Sequence, residues 1–66
     1  MSNYREWIQG KRIHYYQFPG TYLGHWSGWA WVILDVDRIR EAPPRTVRVE
    51  DLAETRAEAQ MKEDNG

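Results

Sequence analysis

The residues at positions 29–37, Trp-Ala-Trp-Val-Ile-Leu-Asp-Val-Asp, decide the fold. Their β-branched and aromatic side chains predict the strongest strand of the chain, and successive side chains of a strand point to opposite faces. Both faces are apolar over the first six residues, whereas a half-exposed antiparallel strand has one polar face. The sheet is therefore expected to need cover on both sides. One face of this strand carries Ala30, Val32, Leu34 and Val36, and the other carries Trp29, Trp31, Ile33, Asp35 and Asp37.

Two weaker strands are predicted, one before this segment in the sequence and one after it. Residues 11–18 are rich in strand-forming side chains and end at Pro19-Gly20, which is a turn signal. Residues 46–49 alternate polar and apolar side chains, as a short strand does. The glycine-rich segment 19–28 is predicted to be a loop, with residues 21–23 as a candidate short extended piece, and the proline-containing segment 38–45 is predicted to be a second loop. The sequence thus predicts a small three-stranded, mostly antiparallel sheet.

A C-terminal helix is predicted over residues 51–62. Asp51 and Glu54 form a capping pair at its start. Alanine buries little surface, so this helix is a good helix former but packs weakly. Its sequence leaves open whether it is structural cover for the sheet or a recognition element. Its apolar stripe consists of Leu52, Ala53, Ala57 and Met61.

A short helical turn is predicted near the N-terminus. Asn3 and Glu6 resemble a capping box, which indicates a helix or turn over residues 4–9. The fold class that follows is α+β, with one small domain over residues 1–62. The tail at 63–66 is expected to be frayed.

Composition sets the kind of protein that is possible. The chain has 66 residues and no cysteine, which excludes disulfides and thiolate metal sites. A domain this small buries only ~60% of the surface of its unfolded chain, so its stability is marginal. Residues 1–48 carry a net charge of +3 and residues 49–66 carry −4, so no overall field steers the chain to nucleic acid. No apolar run approaches the ~20 residues of a membrane span, and no membrane partner is expected.

The aromatic residues raise the main question about function. All nine lie in the first 31 residues, where they either form a compact monomer core or leave a surface for another chain. If the indoles of Trp29 and Trp31 stayed exposed to water, the chain would lose several kcal/mol of hydrophobic stabilisation. The total stability of a typical domain is only ~5–15 kcal/mol. We therefore favour a docking surface with self-association. The predicted partner-binding side chains are Trp26, Trp29, Trp31, Tyr15, Tyr16 and Tyr22.

The candidate catalytic and metal-binding residues form no pattern that indicates a chemistry. His14 and His25 have no metal-ligand spacing with Asp35 and Asp37, so neither a metal nor a cofactor is expected. The two aspartates share a predicted strand face, but such a pair more often marks the point where a strand emerges into solvent. We expect the protein not to be an enzyme.

A second interpretation uses the same aromatic residues. Indole and phenol rings stack on bases at ~1–3 kcal/mol each, and arginine contacts phosphate. Arg12, Arg38 and Arg40 are the candidate anion-binding residues. On this interpretation the protein is an oligomeric binder of a small nucleotide or of single-stranded nucleic acid.

The sequence therefore predicts a non-enzymatic binding or inhibitor protein. It is expected to dock on a macromolecular partner through an aromatic sheet surface, as a homo-oligomer. The brevity of the chain is typical of accessory proteins of viruses and mobile elements. An N-terminus without a signal-peptide apolar region predicts a cytoplasmic location, which is the host cytoplasm for a viral protein.

Overall fold

The computed structural model describes residues 4–65 and contains one antiparallel sheet of five strands. The strands are β1 (Arg12–Tyr15), β2 (Phe18–Trp26), β3 (Trp29–Leu34), β4 (Arg45–Arg48) and β5 (Leu52–Ala53). The helices are α1 (Asp35–Ile39) and α2 (Arg56–Asn65), with short 3-10 helices η1 (Tyr4–Glu6) and η2 (Val49–Asp51). The strand order is β4-β3-β2-β1-β5. The class is α+β, as predicted, but the predicted three-stranded sheet is wrong.

The largest correction is β2, which occupies most of the segment predicted to be a loop. Pro19 and Gly20 read as a turn in the sequence, but they pair with His14 and Ile13 of β1. Gly20 is present because the backbone of β3 comes close. A Cβ at this position would lie 2.8 Å from the carbonyl oxygen of Ile33. Glycine therefore marks a close approach between strands here and not a chain reversal.

The sheet must curl, because its two outermost strands are joined by a very short connection. β4 and β5 are four strand spacings apart in the strand order, which is ~19 Å across a flat sheet. Arg48 ends β4 and Leu52 begins β5, and four residues of chain reach at most ~14 Å. The result is a half-barrel whose concave side holds the core. The buried core residues are Trp7, Ile13, Tyr22, Ala30, Val32, Leu34, Val47, Val49 and Leu52.

Strand β3 shows the predicted alternation but ends earlier than predicted. Ala30 and Val32 are completely buried, whereas Trp29 and Trp31 are 42% and 40% exposed. The predicted strand over 29–37 stops at Leu34, where α1 begins. Since β3 contributes small apolar side chains to the concave face, its indoles lie on the convex face.

The C-terminal helix begins later than predicted. The hydroxyl of Thr55 accepts a hydrogen bond from the backbone N–H of Glu58 at 3.1 Å, which is an N-cap contact. The predicted cap, Asp51, belongs to η2, and the residues after it form β5. The stripe also differs from the prediction, because Ala59 is fully buried and Met61 is 64% exposed. Helix α2 packs mainly against β5 and β1, so it covers that edge of the sheet and leaves the indoles of β3 uncovered.

The N-terminal turn is shorter than predicted. A 3-10 helix spans Tyr4–Glu6, and the proposed cap at Asn3 lies outside the described residues. Trp7 follows this turn, and its indole N–H donates to Oε1 of Glu54 at 2.9 Å. Its ring also meets Tyr22 edge to face, with centroids 5.3 Å apart. Trp7 thus closes the concave side of the half-barrel. Within the described residues, neither helix has the length and hydrophobicity of a membrane span.

Candidate functional site

Three tryptophans meet on the convex side of the sheet and form what we call the tryptophan face, defined by Trp26, Trp29 and Trp31. Trp26 of β2 lies directly opposite Trp29 of β3 in the strand register. Directly opposed residues of an antiparallel pair project from the same face of the sheet. The three side chains are 74%, 42% and 40% exposed in that order. The structure therefore brings together all three tryptophans that the sequence proposed for partner binding.

A β-bulge places Trp26 on this face. Tyr22 pairs with Val32, and Gly24 already pairs with Trp31, so Leu23 is one extra residue on β2. If Leu23 followed the regular alternation and did not form a bulge, Trp26 would lie on the same concave side as Tyr22, because a one-residue slip exchanges the faces of a strand. The sequence offers only Gly24 as a signal for this bulge.

The glycine at position 24 also lies beside an indole. A Cβ built there would lie 4.0 Å from Cε3 of Trp31, which is ordinary van der Waals contact. Across the sheet on the other side, Thr46 of β4 is the register partner of Trp31. Trp31 thus has a glycine on one side and a short polar side chain on the other.

Arg48 is the cation of the tryptophan face. It is the register partner of Trp29, and its guanidinium carbon lies 4.8 Å from the centroid of that indole. This is a cation–π contact, which holds the charge against the ring. Among residues 4–65, the indoles of Trp26, Trp29 and Trp31 pair with no other aromatic ring. Apart from the face of Trp29 that Arg48 covers, the exposed parts of these rings are open to an incoming side chain or base.

Asp35 lies directly after the opposite end of β3, where it forms an ion pair with Arg12. The two guanidinium nitrogens of Arg12 donate to its two carboxylate oxygens at 2.9 and 2.6 Å. Arg12 also donates to the hydroxyl of Thr21 at 3.0 Å. The hydrogen bonds from Arg12 hold the pKa of Asp35 below its ordinary value. Arg12, which the nucleotide interpretation proposed as an anion clamp, is already occupied by a carboxylate.

The second aspartate is separated from the first. Asp37 is only 3% exposed and pairs with Arg45, whose Nη2 lies 3.1 Å from Oδ1. The hydrogen bonds from Arg45 lower the pKa of Asp37. Each aspartate thus has its own arginine, and the convergent carboxylate pair considered from the sequence does not form. Arg38 and Arg40 are exposed, and neither forms an ion pair with any residue that the structure describes.

The three tyrosines proposed for partner binding lie away from the tryptophan face. Tyr22 is 1% exposed in the core, and its hydroxyl is 2.5 Å from Nδ1 of His25. Burial raises the pKa of Tyr22. Tyr15 is partly buried against the core, and Tyr16 occupies the turn between β1 and β2. Aromatic composition could not separate these core and turn residues from the surface ones.

The two histidines have separate environments. His14 lies opposite Ala53 of β5, and its Nδ1 is buried with no hydrogen-bond partner. His25 bonds to Tyr22 and meets the ring of Tyr4 edge to face at 5.2 Å. Within residues 4–65, no three histidine or acidic side chains are grouped so that they could hold a metal ion.

Tyr16 provides a titratable marker of the turn that joins β1 to β2. Its backbone is left-handed, with φ of 55°, and its hydroxyl donates to Oδ1 of Asp51 at 2.7 Å. This hydrogen bond raises the pKa of Tyr16 to about 12. It stabilises the protonated tyrosine, so its contribution to stability is present below the ordinary pKa of ~10 and is lost as the pH rises through about 12.

We predict that Asp51→Asn returns the pKa of Tyr16 toward ~10, because the amide cannot act as a charged acceptor. The absorbance at 295 nm, followed from pH 9 upward, measures the ionisation of the phenols. The variant should ionise one more tyrosine near pH 10 than the parent protein. The control is Asp64→Asn, which changes an acid of α2 whose Oδ1 accepts a hydrogen bond from the side-chain amide of Gln60. Identical titrations of parent and Asp51→Asn would show that the bond is absent in solution.

Comparisons with known proteins give no match: no family model, no curated protein and no solved structure aligns with this chain. The function must therefore be argued from the tryptophan face itself.

Proposed function

We propose that this protein is a non-enzymatic binding protein that docks on a protein partner through the tryptophan face. One observation carries the proposal. Over residues 29–32 of β3, completely buried residues alternate with indoles that are about two-fifths exposed. Interface hot spots are enriched in tryptophan and arginine, and Arg48 is stacked on Trp29.

The area of the face supports the same proposal. The exposed fractions of the three side chains correspond to roughly 250–400 Å² of indole surface, if a whole side chain contributes ~150–250 Å². Burying that area is worth about 6–10 kcal/mol before the costs of association are subtracted. This amount is comparable with the whole stability of a small domain. Patches of this size on small proteins are often functional.

A protein of this kind acts by occupying a surface and not by turning over a substrate. An accessory or inhibitor protein with the tryptophan face as its working surface fits this proposal, and self-association through the same face belongs to it. The cytoplasmic location predicted from the sequence also stays a part of the proposal.

The second candidate is binding of a nucleotide or of single-stranded nucleic acid. The free ring faces and the guanidinium of Arg48 favour it, because bases stack on indoles next to a cation. The state of Arg12 argues against it, because its charge is compensated by Asp35. Protein docking needs no further cation, and it is therefore the function that we propose.

Tryptophan fluorescence distinguishes the two candidates. We expect nucleotides and oligo(dT) at micromolar concentration to leave the emission unchanged, after correction for absorbance with free tryptophan. Quenching that disappears in Trp31→Ala would contradict protein docking and establish the second candidate. A photoreactive residue in place of Trp26 supplies the positive test. It should form adducts with protein, whereas the same residue in place of Ile39, which is 85% exposed on α1, should not.

A further inference from the structure

The outer edge of β4 is the open edge of the sheet. The strand order places β4 and β5 at the two edges, and no strand lies beyond either of them within residues 4–65. Strand β5 has only two residues, both buried, and helix α2 packs against it. Strand β4 has four residues and packs mainly against β3. An uncovered edge strand presents unpaired main-chain N–H and C=O groups to another chain.

The register shows which residues of β4 present these groups. The backbone N–H of Val49 donates to the carbonyl oxygen of Gly28 at 3.0 Å, so the main chain at position 49 is directed toward the β3 side. Main-chain groups directed at one neighbour recur at every second residue of an antiparallel strand. Positions 46 and 48 have the opposite parity, so Thr46 and Arg48 direct their N–H and C=O groups outward. Pro44 has no N–H, which keeps the edge that can pair short.

Arg48 supplies an uncompensated charge at this edge. Its guanidinium carbon lies 4.8 Å from the ring centroid of Trp29, and a stacked guanidinium leaves the N–H donors in its plane available. No carboxylate among residues 4–65 forms an ion pair with it. The other arginine of the strand, Arg45, is bound to the buried Asp37 and adds no free charge. An added strand should therefore carry a carboxylate opposite Arg48, because opposite charges that face each other across a ladder stabilise the pair.

We infer that the outer edge of β4 is a second docking surface, at which an extended acidic segment of a partner protein adds to the five-stranded sheet as a further strand. The surface goes beyond the one in the proposed function, because main-chain groups and not indoles hold the segment. Arg48 is the register partner of Trp29, so a carboxylate opposite Arg48 lies on the convex side and extends the tryptophan face by one strand. Strand β4 carries no acidic side chain, so β4 of a second copy does not supply this carboxylate.

Two capped, fluorescein-labelled peptides test this edge by fluorescence anisotropy with the full chain. In both peptides valine alternates with a charged residue, which is glutamate in one and lysine in the other. We expect the glutamate peptide to bind about tenfold more tightly, because its carboxylate meets the guanidinium of Arg48. Hydrogen exchange at the amides of Thr46 and Arg48 should slow when this peptide binds. Equal binding of the two peptides, or no binding of the glutamate peptide, would overturn the acidic strand.

Substitutions separate the main-chain contact from the charge. Thr46→Pro removes an outward N–H and keeps the bonds of β4 to β3, so it should stay folded and weaken binding of the glutamate peptide about tenfold. Thr46→Val changes the same side chain, keeps that N–H and should keep most of the affinity. Arg48→Glu should reverse the preference in favour of the lysine peptide, whereas Arg40→Glu, which reverses an exposed arginine outside β4, should not. Circular dichroism shows whether each variant is folded. A folded Thr46→Pro that binds like the parent, or an unchanged preference in Arg48→Glu, would contradict the inference.

The outcomes distinguish this edge from the tryptophan face. Adducts at position 26 report on the face, whereas slowed exchange at Thr46 and Arg48 reports on the edge. Adducts without slowed exchange would overturn the edge and leave the docking proposal intact. Slowed exchange without adducts would support the edge and remove the docking proposal. Slowed exchange in the protein alone, increasing with its concentration, would make a second copy the occupant and overturn the acidic segment.

Discussion

Trp31→Ala is expected to make the protein monomeric and to leave it folded. Trp31 is one of the three indoles of the tryptophan face, and its removal takes an aromatic side chain from the proposed interface. Since its side chain points away from the core, the buried neighbours Ala30 and Val32 are unchanged. We expect the dissociation constant to rise by a factor of a hundred or more, which corresponds to about 2.7 kcal/mol.

Two variants keep this prediction independent of any loss of stability. Trp26→Ala removes a side chain that is 74% exposed, so it should weaken association at little cost to folding. Ile39→Ala is the matched control, because it removes an exposed apolar side chain of α1 and should change neither property. Sedimentation measures association, and far-ultraviolet circular dichroism measures folding. Equal effects of Trp31→Ala and Ile39→Ala on association would show that the tryptophan face is not the interface.

Gly20→Ala is expected to destabilise the fold strongly, and much more than the same substitution at Gly24 of β2. The new Cβ would lie 2.8 Å from the carbonyl oxygen of Ile33 and 3.0 Å from Cα of Leu34. Both are backbone atoms, so β2 and β3 would have to move apart. Overpacking of this kind costs about 3 kcal/mol, which is a large part of the stability of so small a domain.

The matched control for this prediction is Gly24→Ala in the same strand. Its Cβ would meet only Cε3 of Trp31, at the ordinary contact distance of 4.0 Å, and its effect should stay within ~0.5 kcal/mol. Urea unfolding followed by circular dichroism gives both values. If the two variants unfold at the same urea concentration, the close approach of β2 and β3 at Gly20 is wrong.

The convex position of Trp29 and Trp31 could be predicted from the sequence because a strand has a period of two. Small apolar residues occupy every second position of β3, so the core side of the strand is evident. The end of the strand was not evident, because Asp35 and Asp37 continue the alternation into α1. Their arginine partners are distant in sequence or belong to another element, and neither partner follows from a local pattern.

Strand β2 could not be predicted because local signals had the opposite meaning. Pro19 and Gly20 are turn residues by frequency, yet here they fill ladder positions where the neighbouring backbone leaves no room for a side chain. The bulge at Leu23 is a property of the pairing with β3, and the position of Trp26 depends on it. Tertiary contacts therefore determine the formation of two of the five strands, β2 and the two-residue strand β5.

The C-terminal helix shows two caps in competition. Asp51 with Glu54 and Thr55 with Glu58 both have the spacing of a capping pair, and the structure uses the second. The first pair is overridden because Leu52 and Ala53 are buried as β5 beside β1. The helix consequently packs at the edge of the sheet, which is the reason that the tryptophan face remains open.

Sedimentation equilibrium of the unmodified protein over a range of concentrations tests the central claim most directly. The claim is that this chain leaves its convex indoles uncovered and that a second copy covers them. We predict a mass that rises from 7.9 kDa toward twice that value as the concentration increases through the micromolar range, with a blue shift of the tryptophan emission over the same range. A constant mass of 7.9 kDa with an unchanged emission spectrum would contradict it.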